Sequence, residues 1–512
     1  MCLFICFAGI PLFGADLQKA QKDFLSGNYS NCIRVCEQAI RQNDFDEEWL
    51  LLLAQSLLTI GRYPDARSVV SNALPRYSTS VRLRLLGHEA FLHNGQTARA
   101  RELIDEINEL VGQRPWAYRD APNLVAVGKA ALLLGADPRR VLERLFDQAK
   151  KADPKNREAY LASGEVALDK HDYELAAKIF QEGLKKSPDD PDLHLGVAKA
   201  YTPSDRPQMI RSLQAALKQN TNHVPSLLWL TDHLIDAEEY VEAEKLLTGA
   251  LAVNPWQPEA WSYRAVLKHL LGDADGESSA RETALKFWKT NPRVDYLIGQ
   301  KLSQKYRFAE GAACQRRALK FDANFSPSKI QLAQDLLRLG QEDEGWRLAD
   351  EVNQNDAYDV TAYNLVTLKD SINKFQTLTN ADFIVRIAKN EAAIYGQKVL
   401  ALLERGKSNL CEKFGFKLEK PTIVEIFPEQ KDFAVRTFGM PGNPGYLGVC
   451  FGSVITANSP AAQTGHPANW EAVLWHEFCH VVTLQMTRNK MPRWLSEGIS
   501  VYEEKRENPP WG

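Results

Sequence analysis

The sequence predicts a mostly α-helical protein in two parts: a long stack of helix pairs over residues 16–358, then a smaller α+β domain over residues 359–512. Three observations carry this. Amphipathic helical segments recur from about residue 17 to 355 with a period near 34 residues, the mark of a stacked helical repeat. Near residue 360 the pattern changes to alternating apolar and polar residues, which suits strands. Near the C-terminal end stand HEFCH (476–480) and WLSEG (494–498), both within segments of helical pattern.

The clearest repeat has Tyr160, Gly164, Ala176, Phe180 and Pro188. Small Gly164 and Ala176 let two antiparallel helices approach, Phe180 fills the gap between neighbouring units, and Pro188 stops the second helix. The frame returns with Leu50, Ala54, Ala66 and Ala73, and again with Leu227, Ala243, Leu247, Ala250 and Pro255. Looser units surround Gly87, Ala318 and Gly340, while 116–137 and 202–206 depart from the frame. These spacings resemble the tetratricopeptide repeat. The resemblance implies a concave α-solenoid with a groove for a peptide or protein partner; a spacer without a bound partner is an equal reading. Trp229, Trp256 and Trp261 are expected to pack between repeats rather than line that groove.

After the repeats, 371–378 and 382–388 read as a β-hairpin around Asn380 and Asp382. A long helix from about Glu391 to Phe414 follows, then a strand over 421–427. A Gly/Pro-rich stretch, 438–446, leads to a further strand at 447–456. That stretch is either a cleft-shaping loop or an ordinary connection. Next comes the apolar helix that begins at Asn469, its expected N-cap, and carries HEFCH. The second motif helix begins at Pro492, where a first helical turn tolerates proline.

His476 and His480, four apart on a helix, project from one face one turn from each other, so both imidazoles reach one metal. Glu477 beside them can face a metal-bound water. Glu497, on the following helix, can return as a third protein ligand. Two histidines and a carboxylate with an open position make the pattern of a catalytic Zn2+ site. Cys479 lies about 100° around the helix from His480, off the ligand face, and is expected to be a small packed residue. Tyr502, Glu503 and Glu504 are expected to be solvated, and His466 to lie in a loop.

HEFCH with WLSEG resembles the gluzincins, the thermolysin-like metallopeptidases, and more closely the peptidase-MA-like domains fused to tetratricopeptide repeats in bacterial proteins. The likeness covers about residues 375–512. It implies a zincin-like metallopeptidase domain with His476, His480 and Glu497 as zinc ligands and Glu477 as general base. It also implies an edge strand that binds an extended substrate, here Val449, Phe451, Ser453 and Ile455. Residues 481–496 between His480 and Glu497 form a slightly shorter link than in the best-known members, so the turn around 487–490 must be short. Those members continue beyond the glutamate helix to supply a Tyr or His oxyanion donor. Here Gly512 follows soon after Glu497, so the resemblance predicts a truncated domain, a donor from upstream or a weakened site. The expected function is zinc-dependent peptide hydrolysis beside a protein-binding array; the alternative is a non-catalytic repeat scaffold with a degenerate zinc-binding domain.

Composition narrows the partners. With 62 basic and 65 acidic residues the net charge is −3, and no basic tract invites nucleic acid. No long apolar run after the first fifteen residues suggests a transmembrane segment. Residues 1–15 are apolar and end in Ala15, like a signal peptide that lacks its basic start. They give the expectation of an extracytoplasmic, periplasmic or secreted, bacterial protein, with a cytoplasmic one as the alternative. The eight cysteines are scattered and form no disulfide framework, and Cys32 and Cys36 are expected to be buried on one helix face.

Overall fold

A computed structural model of the chain describes residues 16–442, 445–462 and 469–511. The expected signal peptide (residues 1–15) and His466 lie outside these, as do two residues of the 438–446 stretch. The chain divides into two compact units, 1–290 and 291–512.

The first unit is a run of antiparallel helix pairs, beginning with Leu17–Leu25 and Tyr29–Arg41 and ending with Pro258–Leu270 and Ala274–Ala284. Helix starts are written locally: Asp46, Ser80, Asp120, Asn156 and Asp190 each accept a hydrogen bond from an amide of the first turn. The pair Arg157–Asp169 and Tyr173–Leu184 has the expected packing. Phe180 is buried against the backbones of Gly164, on its own pair, and Gly196, on the next. Residues 116–137 and 202–206, which depart from the repeat frame, form a 3-10 turn with the helix Ala121–Leu133, and a turn between two helices. Cys32 and Cys36 are buried as expected, and Trp229, Trp256 and Trp261 are half-buried. Among the described residues no helix is long and apolar enough to cross a membrane.

The period alone does not predict a second contact within this unit. Asn220 donates from Nδ2 to the Tyr29 hydroxyl at 3.0 Å, and Asn254 does the same to Tyr63 at 3.1 Å. Each link spans 191 residues of chain, and both asparagines are buried. Gly61 sits against Asn254 with a φ of +79°, so any side chain there would overlap the amide. Two rungs one repeat apart thus stitch early helix turns to late ones.

The second unit begins with repeat helices: Pro292–Gln304, Phe308–Phe321, Ser326–Arg338, Glu342–Asn355 and Val360–Ile372. A five-stranded sheet follows: β1 (Gln376–Thr379), β2 (Phe383–Ile387), β3 (Thr422–Phe427), β4 (Gly448–Cys450) and β5 (Val454–Asn458), in the order β1-β2-β3-β5-β4. β2, β3 and β5 are parallel, and both edge strands are antiparallel to their neighbours. The interior of the sheet is covered on both faces, so β3 is buried along its whole length. Ile423 and Phe427 pack with Leu336, Leu348 and Leu365 of the repeat helices. Val424 and Ile426 face Leu402, Leu474 and Phe478, from the helical stretch Lys389–Phe414 and the motif helix Trp470–Met486. Arg386 of β2 joins Glu342 of a repeat helix to the buried Glu425 of β3.

Four expectations change. The last repeat helices share a core with the sheet, so the compact unit starts at Asn291 although the repeat pattern runs on past it. The hairpin strand expected from Ser371 starts only at Gln376, because Ser371 still belongs to a repeat helix. The helix Gln430–Phe438 lies where no element was expected. The strand expected at 447–456 is two: Gly452, with a φ of +99°, turns the chain between β4 and β5. Of the expected substrate-strand residues, only Val449 is therefore on an edge strand. Phe451 and Ser453 are in the turn, and Ile455 is on an interior strand. The side chains of Val449, Phe451 and Ile455 are buried in the core, leaving the backbone of Gly448–Cys450 as the edge.

Candidate metal centre

The motif helix Trp470–Met486 starts as the sequence indicates: Asn469 accepts from the amides of Glu471 and Ala472 at 3.1 and 3.4 Å. Its apolar face is buried against the sheet and fixes its rotation. His476 and His480 then project together, with their Nε2 atoms 3.1 Å apart. The chain reverses through Arg488 and Asn489, both with positive φ, which is the short turn the spacing requires. The helix Arg493–Glu507 follows and brings Glu497 Oε2 to 3.3 Å from His476 Nε2 and 3.4 Å from His480 Nε2. One ligand atom from each of the three residues lies within 4.8 Å of the others.

The outer nitrogens tell which atoms remain free to ligate. A carboxylate only accepts, so His476 Nδ1–H donates to Glu504 Oε2 at 3.2 Å. His480 Nδ1 pairs with the hydroxyls of Ser496 at 2.8 Å and Ser500 at 3.2 Å. With the Nδ1 of each ring paired on the outer side, the two Nε2 atoms and a carboxylate oxygen converge on one point. That cluster needs an electrophile, either a proton or a cation. Two imidazole nitrogens and one carboxylate oxygen match the donor set of zinc, with the outer imidazole nitrogens held as zinc ligands usually are.

Electrostatics agree with the geometry. Hydrogen bonds from the two histidines hold the Glu497 carboxyl well below the usual range despite partial burial. Burial disfavours the charged form of His476, but the carboxylates of Glu497, Glu477 and Glu504 outweigh it and raise its pKa. Burial dominates at Glu477 and pushes its pKa up against the pull of both histidines. This side chain is 7% exposed and lies beside the edge strand, where Gly448 has no side chain to obstruct it. Cys479 is fully buried and its thiol is pushed up to about 11, as suits a packed residue.

The neighbours of Glu497 are less solvated than expected. Glu503 is buried and paired with Lys413, and Glu504 supports His476; only Tyr502 is exposed. Glu504 lies seven residues after Glu497, two turns along the same helix face, and that spacing is the one signal that could have found it. The flank of Glu497 is partly open: Leu495 and Val501 are exposed, while Ile499 packs on the core.

Comparison with known proteins bears on the helical part. The family model described as "Tetratricopeptide repeat" matches residues 25–81 and 139–191, which in the structure are antiparallel helix pairs. The chain carries tetratricopeptide repeats. The chain is 22% identical over 336 residues to the BBSome complex member BBS4 of Bos taurus; the match covers 62% of each chain. It therefore spans less than two thirds of that relative. Among solved structures, the APC/C hetero-tetramer Cut9-Hcn1 is similar at 15% identity and a TM-score of 0.40, over 59% of this chain and 58% of that one. Yeast Tom70 is similar at 13% identity and a TM-score of 0.37, over 78% of this chain and 98% of that one.

Proposed function

We propose that this tetratricopeptide-repeat protein binds protein segments through its array and, with zinc held by His476, His480 and Glu497, hydrolyses peptide bonds. The convergence of two imidazole Nε2 atoms and Glu497 Oε2, with Glu477 alongside, carries the reading. A bound zinc ion supplies Lewis acidity toward a carbonyl oxygen and a water. Glu477 takes the proton of the attacking water and returns it to the leaving amine. Its burial favours the proton it must hold between those steps. Glu504, Ser496 and Ser500 hold the imidazoles in the ligating orientation. The backbone edge of Gly448–Cys450, beside Glu477, is where an extended peptide would pair. The apolar residues 1–15 support a place outside the cytoplasm.

The test is metal analysis of the purified full chain, followed by digestion of a peptide library with and without chelator. Glu477→Gln is expected to keep zinc and lose cleavage, and His480→Ala to lose both. Cleavage by Glu477→Gln at the wild-type rate removes Glu477 from the role of base.

A second reading is a scaffold whose zinc domain does not cut. It is favoured because the family match falls on repeats alone and the similar curated protein is named as a member of a complex. Zinc bound at the site with no peptide cleaved is the outcome that selects it.

A further inference from the structure

We infer that Tyr306, which belongs to a repeat turn, is a positioning residue of the candidate metal centre. Through Arg493 it orients Glu497, so that the repeats form part of the site's own framework. The inference rests on zinc being held by His476, His480 and Glu497.

Comparison among the chain's own repeats raises the question. The turn between paired helices places one residue at positive φ. It is glycine at Gly27, Gly61, Gly95, Gly135, Gly272 and Gly340, and polar at His171 and Glu238. At the equivalent place Tyr306 has a φ of +63°. Glycine adopts this conformation freely, whereas an L side chain there costs about 1 kcal/mol or more. A bulky aromatic residue at the strained position needs a compensating role.

Packing supplies part of it. The Tyr306 ring lies 5.2 Å from that of Phe308 and 6.4 Å from that of Phe451, between centroids. Phenylalanine would serve that purpose equally well. Its longer-range hydrogen bonds go to the turn before the glutamate helix and to that helix's first residue. Asn489 Nδ2 donates to the Tyr306 carbonyl at 2.8 Å. Arg493 Nη1 donates to the Tyr306 hydroxyl at 3.5 Å, and its guanidinium carbon stands 5.3 Å from the ring centroid. Burial raises the Tyr306 hydroxyl, which therefore stays protonated beside the cation.

Arg493 is the link to the metal ligand. Its Nε lies 3.6 Å from Glu497 Oε1, while Oε2 of the same carboxylate faces both histidines. The two oxygens thus have separate duties. The Arg493 side chain is 59% exposed, so without Tyr306 it would sample many rotamers in water. Holding it against the ring and hydroxyl presents a fixed charge to Oε1 and keeps Oε2 turned inward.

The test is zinc affinity of the full chain, measured by competition with a chromophoric chelator. Wild type, Tyr306→Phe, Arg493→Met and the double variant are compared, with His480→Ala as control. Each single variant is expected to bind zinc about tenfold more weakly. The double variant should be no weaker than the Arg493→Met single, because Tyr306 acts through Arg493. The metal-free Tyr306→Phe protein should melt with the wild type, since its ring contacts remain. Wild-type zinc affinity in Tyr306→Phe overturns the inference, as do multiplying effects in the double variant. A loss of metal-free stability in step with zinc affinity also overturns it, because that describes a packing residue. If wild type and His480→Ala take up zinc equally, the metal reading itself fails; a defect confined to His480→Ala removes only the role of Tyr306.

Discussion

A Cβ built on Gly448 would stand 2.8 Å from both Cγ and Oε1 of Glu477. The edge strand therefore passes the motif glutamate at a distance that only glycine permits. Val473 Cγ1 stands at 2.9 Å on the same side; all the atoms in the way are side-chain atoms, so a methyl group there displaces Glu477, the longer and more flexible of the two, rather than unfolding the unit. Gly448→Ala is expected to keep zinc and lower peptide hydrolysis by about a hundredfold. Metal content and initial rates measured on the same sample check this, and an unchanged rate removes the steric argument.

Glu504 holds His476 through its Nδ1–H. Removing that acceptor frees the ring to turn. Glu504→Ala is expected to weaken zinc binding by about tenfold or more, with helix content unchanged by circular dichroism. Equal affinity in a chelator competition would show that the ring is held by its neighbours alone.

Asp335 is fully buried in a repeat helix of the second unit, and burial raises its pKa to about 7 despite Arg338, Ser303 and Gln331 nearby. The unfolded carboxyl titrates near ~3.9. Between these values the folded chain binds the extra proton. Stability is therefore highest below the unfolded pKa and falls as pH rises toward 7, by up to about 1.4 kcal/mol per pH unit. Asp335→Asn keeps the shape and removes the proton. Denaturant melts of this variant between pH 5 and 8 should lack that slope; an unchanged slope assigns it to other groups.

Phe180 is 1% exposed and packed against two glycine backbones. Neither glycine has a side chain that can move in to fill the space. Phe180→Ala is expected to destabilise the first unit by about 3–5 kcal/mol, read from urea unfolding. A loss below about 1 kcal/mol would mean that the two helix pairs close up around the gap.

The repeats were legible because their signals are local. The positions of Gly164, Ala176 and Phe180 recur at fixed offsets with small or apolar residues, and caps such as Asn156 and Asp190 lie beside the helices they start. The cluster of His476, His480 and Glu497 was legible for the same reason: the helical spacing of the two histidines and a short turn to Glu497 suffice to bring the three side chains together. Tertiary contributions were hidden. Nothing local distinguishes the repeat helices after residue 291, which cover a sheet, from those before it. The turn at Gly452 lies inside a run of strand-forming residues, so β4 and β5 read as one strand. Tyr306 comes from far upstream in the chain, and only folding sets it beside Arg493.

The rungs from Tyr29 to Asn220 and from Tyr63 to Asn254 change how the first unit withstands damage. In an open row of repeats each unit leans only on its neighbours, and fraying at one end stays there. Here the N-terminal pairs also brace pairs 191 residues further on. Trimming the first two would take the tyrosine hydroxyl from two buried amides deep in the chain, each lost hydrogen bond costing about 0.5–1.5 kcal/mol. The beginning of the array and its later turns therefore stand or fall together, as one cooperative block.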